Sequence, residues 1–254
     1  MITVRRVWLI RHGQSESNAG LPTNGPAASP LTELGHRQAE RVAEQFTGPP
    51  ALIVSSPFLR ARQTARPTAE RFPDAPYEEW PVQEFTYLGR LHALRTTNEQ
   101  RRPHADAYWE RLDPAFVNGH DGESFRALIA RVRAFLDRLA ERPVDGEVAV
   151  FTHGIFMKAV LWSLLTGVTD PDRAAMRTFR DFNGACDVPN GAMVELWRPS
   201  GPYGWRVVAG ATAHLAGTFG TPGVLPGGAD PDGAASDGAD PDGGRGVHAA
   251  AHLD

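Results

Sequence analysis

Three short segments, far apart in the chain, carry the residue types that could do chemistry together. Val7–Asn18, "VWLIRHGQSESN", ends an apolar run in Arg11, His12 and Gly13. Ser55–Ala65, "SSPFLRARQTA", carries Arg60, and Phe151–Leu161, "FTHGIFMKAVL", carries His153 before another glycine, Gly154. Two guanidinium forks match the oxygens of a phosphate group. An imidazole among fixed cations has its neutral form favoured, so a ring nitrogen can attack phosphorus. A second imidazole, when protonated, stabilises charge on the equatorial oxygens. Phosphoryl transfer rests chiefly on such positioning and electrostatics. With the cations built in, the reaction needs no metal and no cofactor.

Each segment alone is a weak signal. Arg-His-Gly by itself fits a surface turn, and Thr-His-Gly fits any strand-to-helix turn. Two His-Gly turns directly after apolar strands are a sharper observation, and the elements that must position them can be read. Val4–Ile10 is rich in strand formers, "ALIVSS" is a short buried strand, and "EVAVFT" is another. Helices are expected between them. "LTELGHRQAERVAEQF" puts Ala39, Val42, Ala43 and Phe46 on one face with Thr32 as N-cap. "SPFLRARQTARPTAERF" opens with Ser56 as cap and Pro57 at the first helical position, and Pro67 is expected to break or kink it. "ESFRALIARVRAFLDRLAER" is strongly amphipathic, through Phe125, Leu128, Ile129, Val132, Phe135, Leu136 and Leu139. "GIFMKAVLWSLLTG" reads as a buried helix ending at Gly167, and "GAMVELWRP" and "WRVVAGA" as final strands. Residues 86–120 show weak periodicity and read as irregular.

Alternating strands and helices with apolar strands imply an α/β fold, a three-layer αβα sandwich with a largely parallel central sheet. Ligands gather at the carboxyl ends of such strands. Arg11 and His12, Ser55 and Ser56, and Thr152 and His153 all fall there, each followed by a helix N-terminus that favours anions.

Composition bounds the function classes. The 254 residues carry a net charge of −4, and residues 217–254 account for the excess, with six Asp against one Arg. That Gly/Pro/Asp-rich segment is read as a disordered tail, leaving residues 1–216 as one catalytic domain. The near-neutral body has no clustered cationic face for nucleic acid. No apolar run reaches the roughly 18 residues of a membrane span, and no secretory leader is visible, so no membrane partner and a cytoplasmic location are expected. One cysteine, Cys186, excludes internal disulfides and multi-cysteine metal sites.

In combination, "LIRHGQSESN", "SPLTELGHRQA", "SSPFLRARQTA", "GESFRALIARVRAFL" and "FTHGIFMKAVL" resemble the histidine phosphatase superfamily, the phosphoglycerate mutase-like proteins, over roughly residues 4–210. The resemblance implies His12 as the residue transiently phosphorylated, with Arg11, Arg60 and His153 binding the transferring group. Gln14, Asn18 and the backbone N–H of Gly154 would also touch phosphate oxygens. The leaving alkoxide needs a proton, and the resemblance implies Glu84 in "WPVQEFTYLG" as its source, with Glu78 and Glu79 as alternatives. Glu16 and Ser17 are left as solvated loop residues.

Two departures bear on specificity. Ser29 stands where the family often has Asp, and the stretch after Glu84 differs from the family's Gly-rich, acidic continuation. There Tyr87, Arg90, His92, Arg95 and Trp109 either line a lid over an anionic substrate or belong to an ordinary insertion. The expected activity is metal-independent hydrolysis of a small phosphorylated metabolite. The alternatives are phosphoglycerate mutase-type transfer, which Gln14 in place of the mutases' Glu disfavours, and a non-catalytic phospho-ligand binder. A serine hydrolase elbow is excluded at "GQSES", because Ser17 stands where a Gly is required.

Overall fold

The computed structural model describes residues 6–89, 91, 95–142, 145–198 and 204–208. The expected tail, 217–254, and the boundary before it lie outside them. Among the described residues six strands form one sheet: β1 (Arg6–Arg11), β2 (Leu52–Ser55), β3 (Tyr77–Glu79), β4 (Glu147–Thr152), β5 (Met193–Trp197) and β6 (Arg206–Val208). Their order is β3-β2-β4-β1-β5-β6. The first four in this order run parallel, β5 runs antiparallel to β1, and β6 runs antiparallel to β5.

The helices fully within the described residues are α1 (Glu33–Glu44), α2 (Leu59–Arg71), α3 (Asn98–Arg111), α4 (Phe125–Glu141), α5 (Gly154–Thr166) and α6 (Arg173–Ala185). Strand side chains alternate between faces, so two cores form. Val7, Leu9, Leu52, Val54, Val148 and Val150 pack with α4, α5 and α6 on one side. Ile10, Ile53, Ala149 and Phe151 pack with Val42 of α1 and Ala65 of α2 on the other. This is the expected three-layer sandwich. No helix among the described residues is long and apolar enough to cross a membrane.

Local chemistry explains most boundaries. Thr32 caps α1, accepting from the N–H of Gly35, and Gly167 closes α5 at φ 70°. The apolar stripe read for α4 is buried, apart from the half-buried Leu136. Other expectations need correction. α2 starts at Leu59, with Phe58 at the cap, and Ser56 Oγ accepts the Phe58 N–H at 3.2 Å from outside the helix. α2 also runs through Pro67 to Arg71: proline removes one helical hydrogen bond, and the buried Ala61, Thr64, Ala65 and Thr68 keep the rest of the face seated.

Residues 86–120 are not irregular throughout. Thr97 and Gln100 form a reciprocal capping box that starts α3, whose polar-rich sequence hides its periodicity. Tyr87 and Trp109 line no lid. They are 1% and 4% exposed, in an aromatic cluster with Phe85, Tyr108 and Phe125 that seats α3 on the core. Arg95 is exposed, and Arg90 and His92 lie outside the described residues. α6 was not foreseen, although Asp172 caps it and Met176, Phe179 and Asn183 recur at helical spacing on its buried side.

Gly13 explains its own place in the Arg-His-Gly turn. A Cβ there would run into the carbonyl of Gly35, and a Cβ on Gly35 would run into the carbonyl of Gln14. The turn after β1 therefore lies directly on the first turn of α1, backbone against backbone. Gly35→Ala should cost about 1–3 kcal/mol through this overpacking. Urea unfolding beside the exposed control Glu40→Ala checks it, with the control expected within about 0.5 kcal/mol of wild type.

Candidate active site

Parallel register brings the sequence-predicted residues to one level. Arg11 pairs with Thr152 across β1 and β4, and the N–H of His12 donates to the Thr152 carbonyl at 3.0 Å. On the far side of β4, Ser55 pairs with Phe151 and the Ser56 N–H donates to the Phe151 carbonyl. His12, His153 and Ser56 thus stand side by side just past three adjacent strand ends. The His12 and His153 rings are 5.0 Å apart, centroid to centroid.

The geometry assigns the tautomer of His12. Nδ1 lies 2.7 Å from the Gly13 carbonyl, which only accepts, so Nδ1 carries the hydrogen. Nε2 then presents its lone pair, and Arg60 Nε donates to it at 3.0 Å. Arg60 Nη1 donates to the Pro26 carbonyl, and Arg11 Nη1 to the Val188 carbonyl at 2.5 Å. All four side chains are at least 95% buried. Burial first, then the charges of Arg60 and Arg11, hold the His12 imidazole well below the usual histidine range. His153 is lowered in the same way, by burial, by Arg60 and by further neighbouring charges. The neutral form of the second imidazole is thus favoured among the protein's own cations. Its Nε2 is 2.8 Å from Ser56 Oγ.

Glu84 belongs to the same site. It is 3% exposed and lines a narrow cavity with Arg60. Its carboxylate accepts from the N–H groups of Phe85 (3.0 Å), Phe156 (3.1 Å) and Ile155 (3.2 Å), so it also caps the first turn of α5. The segment carrying it is clamped twice. Thr152 Oγ1 donates to the Val82 carbonyl at 2.5 Å, and Arg131 of α4 donates to the carbonyls of Gln83 (2.7 Å) and Pro81 (3.2 Å) while its fork holds Glu123. The alternative acids are engaged elsewhere. Glu78 takes Trp80, Arg138 and Arg142, and the half-exposed Glu79 faces Arg62 at 3.6 Å.

The remaining candidates divide. Gly154 opens α5 directly after His153. The Gln14 side chain is turned to α1, where its Oε1 accepts from Thr32 Oγ1 at 2.9 Å. Asn18 Oδ1 accepts from Ser15 and, at 3.1 Å, from Asn190 Nδ2, which also donates to the His12 carbonyl at 3.0 Å. Ser17 is a half-buried cavity wall, not a solvated residue, and its N–H donates to the buried Ser29 Oγ. Sequence reasoning missed Asn190, Ser56 as the partner of His153, and Thr64, whose Oγ1 accepts the Gly13 N–H. The Asn-Gly turn before β5 was the one available signal for Asn190. No cluster of metal-ligating residues occurs among the described residues.

Two buried neutral histidines make stability depend on pH. The unfolded chain binds their protons below about pH 6.5 and the folded chain does not. Stability present above about pH 6.5 is therefore lost as pH falls, by about 1.4 kcal/mol per pH unit per ring once the pH is well below that value. Urea unfolding from pH 7 to 5.5 should show this slope, and His153→Gln should remove about half of it. An unchanged slope would contradict the neutral burial of His153.

The profile of the histidine phosphatase superfamily (branch 1) matches residues 7–180. The chain is 29% identical over 168 residues to the adenosylcobalamin/alpha-ribazole phosphatase of Salmonella typhimurium, covering 63% of this chain and 80% of that one. It is 30% identical over 169 residues to a probable phosphoglycerate mutase GpmB of an Enterobacter species, covering 63% and 74%. Among solved structures, a mycobacterial glucosyl-3-phosphoglycerate phosphatase superposes with a TM-score of 0.58 at 28% identity, over 80% of this chain and 96% of that one. An Arg-His-Gly turn, a facing Thr-His-Gly turn and an intervening arginine helix meet on one sheet, and the chain belongs to the histidine phosphatase superfamily.

Proposed function

We propose that this enzyme hydrolyses small phosphomonoesters by passing the phosphoryl group to His12 and then to water. The observation that carries the reading is the His12 ring itself: Nδ1–H fixed on the Gly13 carbonyl, Nε2 turned to the Arg60 guanidinium, and burial keeping the ring neutral. A neutral nitrogen with a directed lone pair is a nucleophile, and the cation beside it marks where phosphoryl oxygens would sit.

In the proposed reaction the substrate takes over the Arg60 fork, and Arg11 and His153 complete the cradle. The Nε2 lone pair bonds to phosphorus as the phosphorus–alkoxide bond breaks. Glu84 gives its proton to the leaving oxygen. Its carboxylate then takes a proton from water, whose oxygen bonds to phosphorus as the nitrogen–phosphorus bond breaks, releasing inorganic phosphate and restoring His12. The named activities of the relatives, two phosphatases and a probable mutase, support this chemistry. Gln14, held on the cap of α1, stands where the mutases usually carry Glu, and this supports hydrolysis over return of the phosphoryl group to the substrate.

Phosphate release from a panel of phosphorylated metabolites, with EDTA present, tests the reading. His12→Ala should abolish turnover, and a variant retaining near wild-type rates would exclude His12 as nucleophile. Glu84→Gln should lower the rate by about 10²–10⁴-fold on alkyl phosphates and by clearly less on nitrophenyl phosphate, whose leaving group needs little protonation. Equal losses on both would exclude Glu84 as the acid. Isomerised phosphoglycerate with little free phosphate would identify a mutase instead.

A further inference from the structure

The turn before β5 is fastened to the end of β1. Arg11 donates its N–H to the Ala192 carbonyl at 2.9 Å, and the N–H of Gly191 reaches the carbonyls of Arg11 and His12 at 3.1 and 3.2 Å. Gly191 has φ 78°, a left-handed backbone that glycine adopts readily and that lets the chain double back there. Asn190, just before it and half-buried, thereby meets the loop that leaves β1. Its Nδ2 donates to two acceptors, the His12 carbonyl at 3.0 Å and Asn18 Oδ1 at 3.1 Å. No step of the proposed reaction uses this side chain.

These contacts decide which way two amides face. A carbonyl only accepts, so the end of Asn190 that lies on His12 is its amide NH₂. That NH₂ can meet only an acceptor on Asn18, so the atom there is Oδ1. Ser15 agrees independently: its backbone N–H, a donor only, is 3.2 Å from the same Oδ1, and its hydroxyl is 3.0 Å away. With Oδ1 engaged, Nδ2 of Asn18 is the end left for a phosphoryl oxygen. A donor on an anionic oxygen binds strongly, whereas an inverted amide would offer that oxygen only lone pairs. Ser15 holds Asn18 from three residues away in the same loop and moves with it, but Asn190 ties it to the strand that carries His12. The His12 carbonyl depends less on Asn190, because the Gly191 N–H also reaches it. We propose that Asn190 is a positioning residue acting through Asn18: it holds the Asn18 amide with its donor end to the phosphoryl group, in fixed relation to His12. This inference rests on the phosphatase reading.

The test is a double-mutant cycle of Asn18→Ala and Asn190→Ala, read as kcat/KM on nitrophenyl phosphate and as the inhibition constant of inorganic phosphate, which reports phosphoryl binding without turnover. Each single variant should lower kcat/KM and weaken phosphate inhibition by about 3–30-fold. In the Asn18→Ala background, adding Asn190→Ala should change neither quantity by more than about twofold, because the residue it acts through is already gone. Losses from Asn190→Ala that are as large without Asn18 as with it would overturn the inference and assign the effect to the His12 carbonyl or to the turn itself. Asn190→Ala within twofold of wild type in both readouts would overturn it too. Should Asn190→Ala fail to fold, Asn190→Ser, which keeps a hydroxyl donor on a shorter side chain, enters the same cycle and is judged by the same coupling. A wild type that neither turns over nitrophenyl phosphate nor binds inorganic phosphate would defeat the phosphatase reading and this inference with it, whereas turnover with independent losses defeats the inference alone.

Discussion

The Nδ1–H of His12 is given to the carbonyl of the very next residue, and that bond decides what the rest of the ring can do. With one nitrogen committed as donor, the other must be an acceptor, and it points to Arg60. The acceptor state survives because proton uptake would place a third positive charge beside Arg11 and Arg60 in a buried space. The surrounding fold serves this arrangement. Gly13 and Gly35 let the turn lie flat on α1, Thr64 takes the Gly13 N–H, and Asn190 holds the His12 carbonyl. Rotating the ring would break its bonds to the Gly13 carbonyl and to Arg60 of α2.

The acidic side of the site follows a different economy of structure. Glu84 accepts three backbone N–H groups, two of them in the first turn of α5, so one carboxylate orients itself and completes a helix N-terminus. Its segment is gripped by Thr152 from the sheet and by Arg131 from α4. The proposed acid and the proposed nucleophile are thereby referenced to the same strand, β4, through Thr152, which touches both His12 and Val82. A fixed relation between attacking nitrogen and departing oxygen is what in-line displacement demands.

Much of this was legible because strand-end chemistry has a local signature. An apolar run that stops at Arg-His-Gly or Thr-His-Gly names its own position in a parallel sheet, and His12, His153, Arg11 and Arg60 were all placed together on that ground. Glu84 could be identified only through resemblance, since a lone glutamate after a short strand has no distinguishing spacing. What stayed hidden was decided by tertiary contact. α3 has charged residues on most faces, and its stability comes from a capping box and an aromatic floor supplied by distant segments. The same floor converts Tyr87 and Trp109 from apparent lid residues into core. Arg101 looks like an ordinary surface arginine in sequence, and only burial distinguishes it from Arg102 beside it, which is exposed.

The tie between Asn190 and the His12 carbonyl joins residues 178 positions apart, and Arg11 reaches Val188 over almost the same interval. Contacts this distant form late, since the loop they close is long and the central strand must already be flanked on both sides. His12 is thus among the earliest residues of the sequence to be joined into the chain and among the last to acquire its working geometry. Until the segment before β5 reaches β1, the His12 carbonyl and the Arg11 guanidinium lack these two partners. The arrangement proposed for catalysis therefore leans on the last part of the sheet: a chain that ended before Val188 would lack both ties.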